Sequence, residues 1–462
     1  MVRTRIAILF CLIVAAAIGA PRSACAHAMS NGMPSIKLGE STLVVNGPWR
    51  FHTGDDLRWA DSGFDDSGWE SVDFEAPPGA TDGDVGLPGY VSGWTAQGHA
   101  GYWGYAWYRI RLEVTPPAGR TLALLGPWAT DSTYQMYVNG VLVGGVGNFS
   151  GRVPTAYGYH YPMLFSLPSG TAHGGDIAIA IRTWMGPWDA NSPDAGGIHI
   201  APVIGERDAI TALYRLQWLK IFEGYVVDAV PGLLFFSMAL TTLCVRRFDR
   251  SDPAWLWLAL ALVLSGLQRG NQAFFFWLRI ETVRDFVYFI VVLVGSLNFA
   301  AWTMAWRNWF KADKPAWFPR GVAALTIVLM VAQILVRPWL FHVLFPPAAI
   351  RGLHDLITAV HLAFLMALIW IVQQGVRNRR REIWYAIPAV LAICVVLFAS
   401  ELSAVRVPGI WFPWGVGLSL SEIASVVFDT LLFAALLHRL WSYASRDSIR
   451  EAVRVQSGLR SN

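Results

Sequence analysis

The fold of this chain is decided by long uncharged runs such as residues 286–306, FVYFIVVLVGSLNFAAWTMAW. A helix of about 20 apolar residues is long enough to cross the hydrocarbon core of a bilayer. Such runs recur through residues 219–440, and short arginine-bearing loops separate them. The sequence therefore predicts a multidomain membrane protein with an all-α, seven-helix transmembrane bundle. The predicted spans are Ile221–Val245, Ala254–Leu278, Phe286–Trp306, Gly321–Leu340, Leu353–Val376, Ile383–Val405 and Ile410–Leu440.

The composition divides the 462 residues into two parts. Only 15% of the residues are charged and 54% are hydrophobic, whereas soluble domains carry about 25% charged residues. Glycine, proline, aspartate and aromatic residues fill residues 30–205, while Leu, Val, Ala and Phe dominate the rest. The formal net charge of +4 arises mainly in loops between the apolar runs. We therefore expect the lipid bilayer, and not nucleic acid, as a partner.

Residues 1–28 have the pattern of a secretory signal peptide. Arg3 and Arg5 precede an apolar stretch, and Ala24-Cys25-Ala26 fits the small-residue cleavage rule. An uncleaved anchor is the alternative, and both interpretations export the residues that follow. The predicted parts are the signal peptide at 1–28, a periplasmic domain at 29–205, a linker helix at 206–220, the seven-helix domain at 221–441 and a cytoplasmic tail at 442–462.

The loops between the predicted spans differ in positive charge. With an exported amino terminus, the first, third and fifth loops face inward, and they carry eleven arginines and lysines against five in the outer connections. Cytoplasmic loops of membrane proteins are enriched in these residues. The sequence therefore predicts a multi-pass protein of the bacterial inner membrane, with a periplasmic amino-terminal domain and a cytoplasmic carboxyl terminus.

Residues 30–205 show the alternation and turn chemistry of an all-β domain. Short alternating runs include Trp107–Val114, Thr133–Val138 and Asp176–Arg182. Asn139-Gly140 separates two such runs, which is the strongest short-range signal for a hairpin. Many short strands joined by turns of this kind indicate a sandwich or a barrel.

Three of these segments resemble successive strands of the galactose-binding-like jelly roll, as in the sugar-binding domain of glycoside hydrolase family 2. They are WYRIRLEV at 107–114, YVNGVLVG at 137–144 and DIAIAI at 176–181. The upstream segment GPWRF at 47–51 is similar to the entry of such domains. The resemblance implies an all-β jelly-roll ectodomain that binds carbohydrate.

An exported jelly roll followed by seven helices resembles the bacterial seven-transmembrane receptors with diverse intracellular signalling modules. That resemblance implies a sensor whose ectodomain binds a small ligand, with carbohydrate as the expected class, and whose helices relay binding to a cytoplasmic signalling protein. The chain departs from the pattern after Leu440, because the remaining residues are too few for a catalytic module. The output is therefore expected from a partner, or the chain is the amino-terminal fragment of a receptor that ends in a serine/threonine phosphatase, histidine kinase or diguanylate cyclase.

Charged side chains inside the predicted spans are candidates for a functional network, because charge is costly in hydrocarbon. A lone arginine there needs a partner, and Asp228 is the first choice for Arg269. The network is either a polar, outward-facing cavity that senses a ligand or an ion, or a set of ion pairs that fixes helix packing. Its predicted members are Glu223, Asp228, Arg269, His354, Asp355, His361, Glu401 and Glu422.

Aromatic residues near two loops of the ectodomain are candidates for stacking on sugar rings. The alternative is that the rings cover the sandwich core or rest on the membrane. The predicted ligand-binding residues are Trp94, Tyr102, Trp103, Tyr105, Trp184, Trp188 and Asp189.

Other function classes find less support in the sequence. A transporter, or a carbohydrate-binding membrane protein without signalling, is the alternative function, although we find no internal repeat typical of transporters. Glycosidases need two carboxylates around a sugar site, and the ectodomain aspartates cluster in turns, where aspartate bonds to the backbone. We therefore expect no enzymatic activity, no cofactor and no metal site.

Overall fold

The computed structural model describes residues 42–441, apart from residues 83–84, 116–118, 132, 152, 157–159, 188–192, 249, 251, 279–280, 338–344, 378–382, 405–409, 412–417, 421 and 439–440. The chain divides into two compact units, Met1–Glu40 and Ser41–Asn462, and every described residue belongs to the second. The predicted signal peptide, the tail at 442–462 and the candidates Trp188 and Asp189 lie outside the described residues.

Two antiparallel sheets make up the amino-terminal region. One has the strand order β1-β12-β5-β9 and the other β3-β2-β4-β10-β7-β8, and β11 pairs separately with β6. The strands are β1 Thr42–Val44, β2 Trp49–Thr53, β3 Glu70–Val72, β4 Gly104–Val114, β5 Leu122–Leu125, β6 Thr130–Asp131, β7 Thr133–Val138, β8 Val141–Val146, β9 Leu164–Ser166, β10 Gly175–Met185, β11 Gly197–Ile198 and β12 Val203–Glu206.

The two sheets share one hydrophobic core and so form a β-sandwich. Leu124 and Ile204 contribute from the four-stranded sheet, and Tyr108 and Ile179 from the six-stranded sheet, each at most 2% exposed. Within the second sheet, β7 and β8 meet at the two-residue turn Asn139-Gly140, where both residues have positive φ, 46° and 80°. Such a turn matches the right-handed twist of the paired strands.

A helical region follows the sandwich directly, because β12 ends at Glu206 and the first helix begins at Arg207. The third helix is one continuous run in which π-helical residues Val287–Gly295 lie between two α-helical parts. The helices are α1 Arg207–Phe248, α2 Ala254–Leu278, α3 Val283–Trp309, α4 Phe318–Leu335, α5 Pro347–Arg377, α6 Ile383–Leu397, α7 Ala399–Ala404 and α8, residues 422–438.

Four helices of the described chain, α1, α3, α4 and α5, are long and apolar enough to cross a membrane by length and composition. The prediction of a β-rich region followed by apolar helices is therefore confirmed. The seven-span count stays a prediction. The sequence placed the seventh span at Ile410–Leu440, but Ile410–Trp411 (β13) pairs with Leu418–Ser419 (β14) and α8 begins later. Prolines and glycines at 408–417 disfavour a helix there.

Helices α1 and α2 approach closely because their contact surfaces carry glycines. A Cβ added at Gly232 of α1 would lie 2.9 Å from the backbone nitrogen of Gly270 on α2. Gly266 lies one turn before Gly270, which is the small-residue spacing of tightly packed membrane helices. Close packing at these glycines aligns the neighbouring turns of α1 and α2, which carry Asp228 and Arg269.

Replacing Gly232 with valine is expected to destabilise the protein by about 1–3 kcal/mol, because the new side chain meets backbone that cannot rotate away. The measurement is thermal unfolding of the full-length protein in detergent. The matched control is Gly352→Ala in α5, where nothing lies within 4 Å of an added Cβ. Equal unfolding temperatures for the two variants would argue against close packing at Gly232.

Candidate functional site

Helices α1, α2 and α3 surround a cavity of about 400 Å³, to which α6, α7 and α8 contribute further residues. Its walls combine polar and apolar side chains. Apart from Tyr225, the ionisable side chains among its described lining residues are Asp228, Arg269 and Glu422. The cavity therefore contains three of the residues that the sequence singled out as a polar network.

Arg269 lies between the two carboxylates and contacts both through one nitrogen. Its Nη1 is 3.1 Å from Asp228 Oδ1 and 2.8 Å from Glu422 Oε1. The arginine side chain is 17% exposed and each acid 12%. Charges this far from bulk solvent are tolerated only when they are paired. The structure thus places Asp228 beside Arg269, the pairing expected from the sequence. Glu422 is a second partner of Arg269.

A line of hydrogen bonds leads from the cavity into the helices. Asn298 Nδ2 donates to Gln268 Oε1 at 3.0 Å, and Ser265 Oγ donates to Asn298 Oδ1 at 3.1 Å. Trp302 Nε1 donates to Ser265 Oγ at 3.0 Å. The Trp302 ring stacks on the Trp306 ring, with their centroids 6.0 Å apart. Sequence reasoning missed these members. The signal available was their position as polar residues within otherwise apolar runs.

A second polar pair lies in the helical region. His361 Nδ1 of α5 is 2.5 Å from Glu401 Oε1 of α7, and the imidazole stacks on Phe299 with ring centroids 4.6 Å apart. The predicted network thus divides into the triad around Arg269 and the His361–Glu401 pair. The remaining predicted members occupy positions exposed in the structure: Glu223, His354 and Asp355.

The sandwich packs directly on the helices beside the cavity. Val85 and Leu87, 2% and 0% exposed, belong to one hydrophobic cluster with Tyr225 of α1 and Phe276 of α2. The Tyr225 and Phe276 rings stack with centroids 3.9 Å apart. A Cβ on Gly224 of α1 would overlap Val85. Because Gly224 and Tyr225 also line the cavity, the sandwich loop contacts the cavity wall directly.

Further hydrogen bonds fix the loop that carries Val85 and Leu87 and the loop that carries Ala156. The buried Asp82 carboxylate accepts hydrogen bonds from the backbone N–H groups of Val85, at 2.8 Å, and of Leu87. The backbone N–H of Val283, at the start of α3, donates to the carbonyl of Ala156 at 2.9 Å. The sandwich therefore contacts α1, α2 and α3, the three helices that surround the cavity.

A buried ion pair lies inside the sandwich near this interface. His199 Nε2 is 3.0 Å from Asp131 Oδ2, and Nδ1 is 2.9 Å from the carbonyl of Val91. Both ring nitrogens thus face acceptors, as in a doubly protonated imidazole. Burial opposes the charge of His199, but the hydrogen bond and charge of Asp131 outweigh it and raise the pKa. Sequence reasoning did not identify this pair.

The aromatic residues predicted to bind a ligand occupy different environments. Trp94 and Trp184 are 1% and 4% exposed, so their rings lie in the protein interior and do not face solvent. Their burial agrees with the alternative that the rings cover the core. The Tyr102 hydroxyl donates to the carbonyl of Tyr105, while Trp103 is 43% exposed. The structure thus leaves Trp103 as the solvent-facing ring among the described candidates.

Charged residues cover the outer face of the six-stranded sheet. Arg182 Nε donates to Asp55 Oδ1 at 2.7 Å, and its guanidinium lies 4.3 Å from the centroid of the Tyr105 ring. The neighbouring Arg109 side chain, 2% exposed, donates through Nε to Asp66 at 2.8 Å. Asp55 and Asp66 therefore anchor the segment between them to this face of the sheet.

No family model matches this chain, and no curated protein matches it. Among solved structures, 176 chains match. A beta-glucuronidase of Bacteroides uniformis is 23% identical with a TM-score of 0.25, over 36% of this chain and 18% of that one. A beta-glucuronidase of Bifidobacterium dentium is 21% identical with a TM-score of 0.22, over 33% and 22%. A beta-glycosidase of Bacteroides vulgatus is 18% identical with a TM-score of 0.23, over 36% and 20%.

This chain spans about a fifth of the length of the solved structures that it matches. Those structures are of enzymes, and a further matching structure is of a beta-glucuronidase from glycoside hydrolase family 2. The expectation that this chain is not an enzyme is therefore wrong, because an enzymatic role is not excluded. Similarity at these values assigns no substrate and no catalytic residue to the chain.

Proposed function

We propose that this protein is a receptor-like sensor of the bacterial inner membrane. In this proposal the sandwich has the jelly-roll topology, lies in the periplasm and binds a small ligand, with carbohydrate as the class that the sequence resemblance implies. The seven predicted helices carry the change to a cytoplasmic signalling partner. One observation carries the proposal: the sandwich residue Val85 packs on Gly224, a residue of the cavity wall in α1.

Transmission requires that the ligand bind unequally to two arrangements of the protein. A contact between the sandwich and a helix can transmit a movement when it resists deformation. The contact between Val85 and Gly224 is of that kind, because a methyl group added at Gly224 would overlap Val85. A shift of Val85 and Leu87 must therefore displace α1 or break their contact with it.

Hydrogen exchange of the full-length protein in lipid nanodiscs, with a panel of mono- and disaccharides, tests the proposal. We expect a saccharide that protects amides of the sandwich to change exchange at residues 240–248, at the far end of α1, as well. Protection confined to the sandwich would favour a carbohydrate-binding membrane protein without signalling. If no saccharide protects the sandwich, the carbohydrate assignment is overturned.

Replacing Gly224 with valine is expected to preserve saccharide protection of the sandwich and to abolish the change at residues 240–248. The added side chain overlaps Val85 and forces the two surfaces apart, at a cost of about 1–3 kcal/mol. Gly352→Ala, at an open position of α5, is the control and should behave as the wild type. Persistence of the distant change in Gly224→Val would contradict the assigned contact.

A transporter is the second candidate, and the observation that favours it is the polar cavity between α1, α2 and α3. Flux of a radiolabelled saccharide into proteoliposomes separates the two functions. A sensor leaves the internal saccharide content unchanged, whereas a transporter raises it with time.

A further inference from the structure

A groove lies between α3 and α4, away from the polar cavity. Its volume of about 310 Å³ is within the range of small-molecule sites, about 300–1,000 Å³. Leu293 in its wall and the neighbouring Phe289 are 43% and 42% exposed, so the groove opens at the outer surface of the helices. All its lining residues but one tyrosine are apolar: Tyr288, Val292, Leu293, Met330 and Ile334. This space therefore suits a hydrocarbon chain.

The π-helical part of α3 shapes one wall of the groove. In an α-helix, residues three and four apart lie on the same face. The i→i+5 bonds of the π-helical run Val287–Gly295 bring residues five apart onto the same face as well. Tyr288 and Leu293 are such a pair, and both line the groove. The irregular backbone, a feature that often marks functional sites, thus adds to the apolar wall.

One end of the groove lies on the side of the sandwich. The start of α3 is beside the sandwich, because the backbone N–H of Val283 donates to the carbonyl of Ala156 at 2.9 Å. Tyr288 follows soon after this start. On α4, Ile334 belongs to the last turn, and Arg337 follows the end of the helix and interacts electrostatically with Tyr288. Arg337 therefore lies at the sandwich-side end of the groove.

Arg337 has no acidic partner among the described residues. The next residues along the chain, 338–344, include no aspartate or glutamate. Arg337 Nη1 donates to the carbonyl of Gln333 at 2.8 Å, and no hydrogen bond within the described chain uses its Nε or Nη2. A guanidinium edge of this kind binds phosphate through two parallel N–H bonds. Basic sites between membrane helices bind lipid headgroups in this way.

We propose that the groove binds one anionic phospholipid, with an acyl chain between α3 and α4 and the phosphate on Arg337. The lipid belongs to the leaflet on the side of the sandwich. A headgroup with net negative charge is favoured, because Arg337 brings one positive charge and no acid compensates it. The inference rests on the membrane location in the proposed function, and it does not depend on ligand binding by the sandwich or on signalling.

Native mass spectrometry of the full-length protein tests the lipid class. The detergent contains phosphatidylglycerol, phosphatidylethanolamine and diacylglycerol at equal concentrations and with the same acyl chains. We expect one phosphatidylglycerol per chain, retained at least about tenfold more than diacylglycerol, which lacks the phosphate. Phosphatidylethanolamine should fall between them, because its ammonium cancels the charge of its phosphate. Equal retention of the three lipids, a preference for either of the other two, or no retention would overturn the proposal.

Two pairs of variants assign the lipid to the groove. Arg337→Gln should lower the retention of phosphatidylglycerol to that of diacylglycerol, while Arg351→Gln, at an exposed position of α5, should leave it unchanged. Met330→Trp fills the groove and should abolish retention of all three lipids. Val331→Trp adds the same bulk at a position that is 49% exposed and should not. Wild-type retention in Arg337→Gln or in Met330→Trp would sink the inference.

Arg337→Gln keeps the test decisive if Met330→Trp fails to fold, because Arg337 lies beyond the end of α4. Membrane fractionation separates a failure of this inference from a failure of the proposed function. Protein that stays in solution without detergent would overturn both the membrane location and the lipid site. Protein that is recovered from membranes but retains no phosphatidylglycerol would overturn the lipid site alone.

Discussion

Replacing Asp66 with alanine is expected to lower the free energy of unfolding by about 3–5 kcal/mol, because the change leaves a buried arginine without its counter-ion. Arg109 is 2% exposed, and its Nε lies 2.8 Å from Asp66 Oδ2. Arg111 Nη1 lies 2.8 Å from the other carboxylate oxygen. Burial alone would raise the pKa of Asp66, but the hydrogen bonds from both arginines outweigh it and lower the pKa.

The neighbouring aspartate provides the control for this prediction. Asp65 Oδ1 accepts a hydrogen bond from the backbone N–H of Ser67 at 3.0 Å, and this bond closes a turn at the surface. Loss of one such bond costs about 1 kcal/mol. Denaturant unfolding of the full-length protein in detergent, followed by tryptophan fluorescence, compares Asp65→Ala with Asp66→Ala. Similar losses from both variants would show that the Arg109–Asp66 pair has no special role.

The second large effect is expected at the His199–Asp131 pair, whose contribution depends on pH. The pKa of His199 is raised above 6.5, so its stabilising contribution is complete below pH 6.5 and is lost as the pH rises through the raised value. Burial opposes the charge of Asp131 too, but the hydrogen bond from His199 outweighs it and lowers the pKa below 3.8. The contribution of Asp131 is lost as the pH falls through that lowered value. The pair therefore stabilises the sandwich most between pH 3.8 and 6.5.

Asp131→Asn is expected to lower the free energy of unfolding by about 3–5 kcal/mol within that window, because it removes one partner of a buried pair. It should also remove the loss of stability that is expected of the wild type as the pH rises through the raised pKa of His199. Thermal unfolding of the full-length protein across a pH series measures both effects. Asp176→Asn, which changes an exposed aspartate of β10, is the control and should keep the wild-type profile. A wild-type profile in Asp131→Asn would refute the assignment.

Local chemistry made some features predictable from the sequence. The hairpin of β7 and β8 forms at Asn139-Gly140 because few other residue pairs adopt positive φ twice in succession. Arg269 was expected to need an acid because a lone charge in an apolar run is costly, and Asp228 was the first choice. Both inferences depend on neighbouring residues and on single-group energetics, which a sequence displays directly.

Long-range arrangement was not available in the same way. Glu422 contacts Arg269 across 153 positions, and only the packing of α8 against α2 brings them together. For Trp94 and Trp184, aromatic character did not distinguish a ring that faces a ligand from a ring that fills the core. Residues 410–419 were predicted as the start of a helix because they belong to an apolar run, although Pro413, Gly415 and Gly417 disfavour a helix.

Because β12 ends at Glu206 and α1 begins at Arg207, the sandwich is attached directly to one end of a long, stiff helix. Its 42 residues extend roughly 63 Å at 1.5 Å per residue, about twice the ~30 Å hydrocarbon thickness of a bilayer. A tilt of about 5° at the sandwich would swing the opposite tip by roughly 5 Å over that length. Small changes in the angle of the sandwich would thus displace Arg246 and Arg247 by a distance comparable to one helical turn.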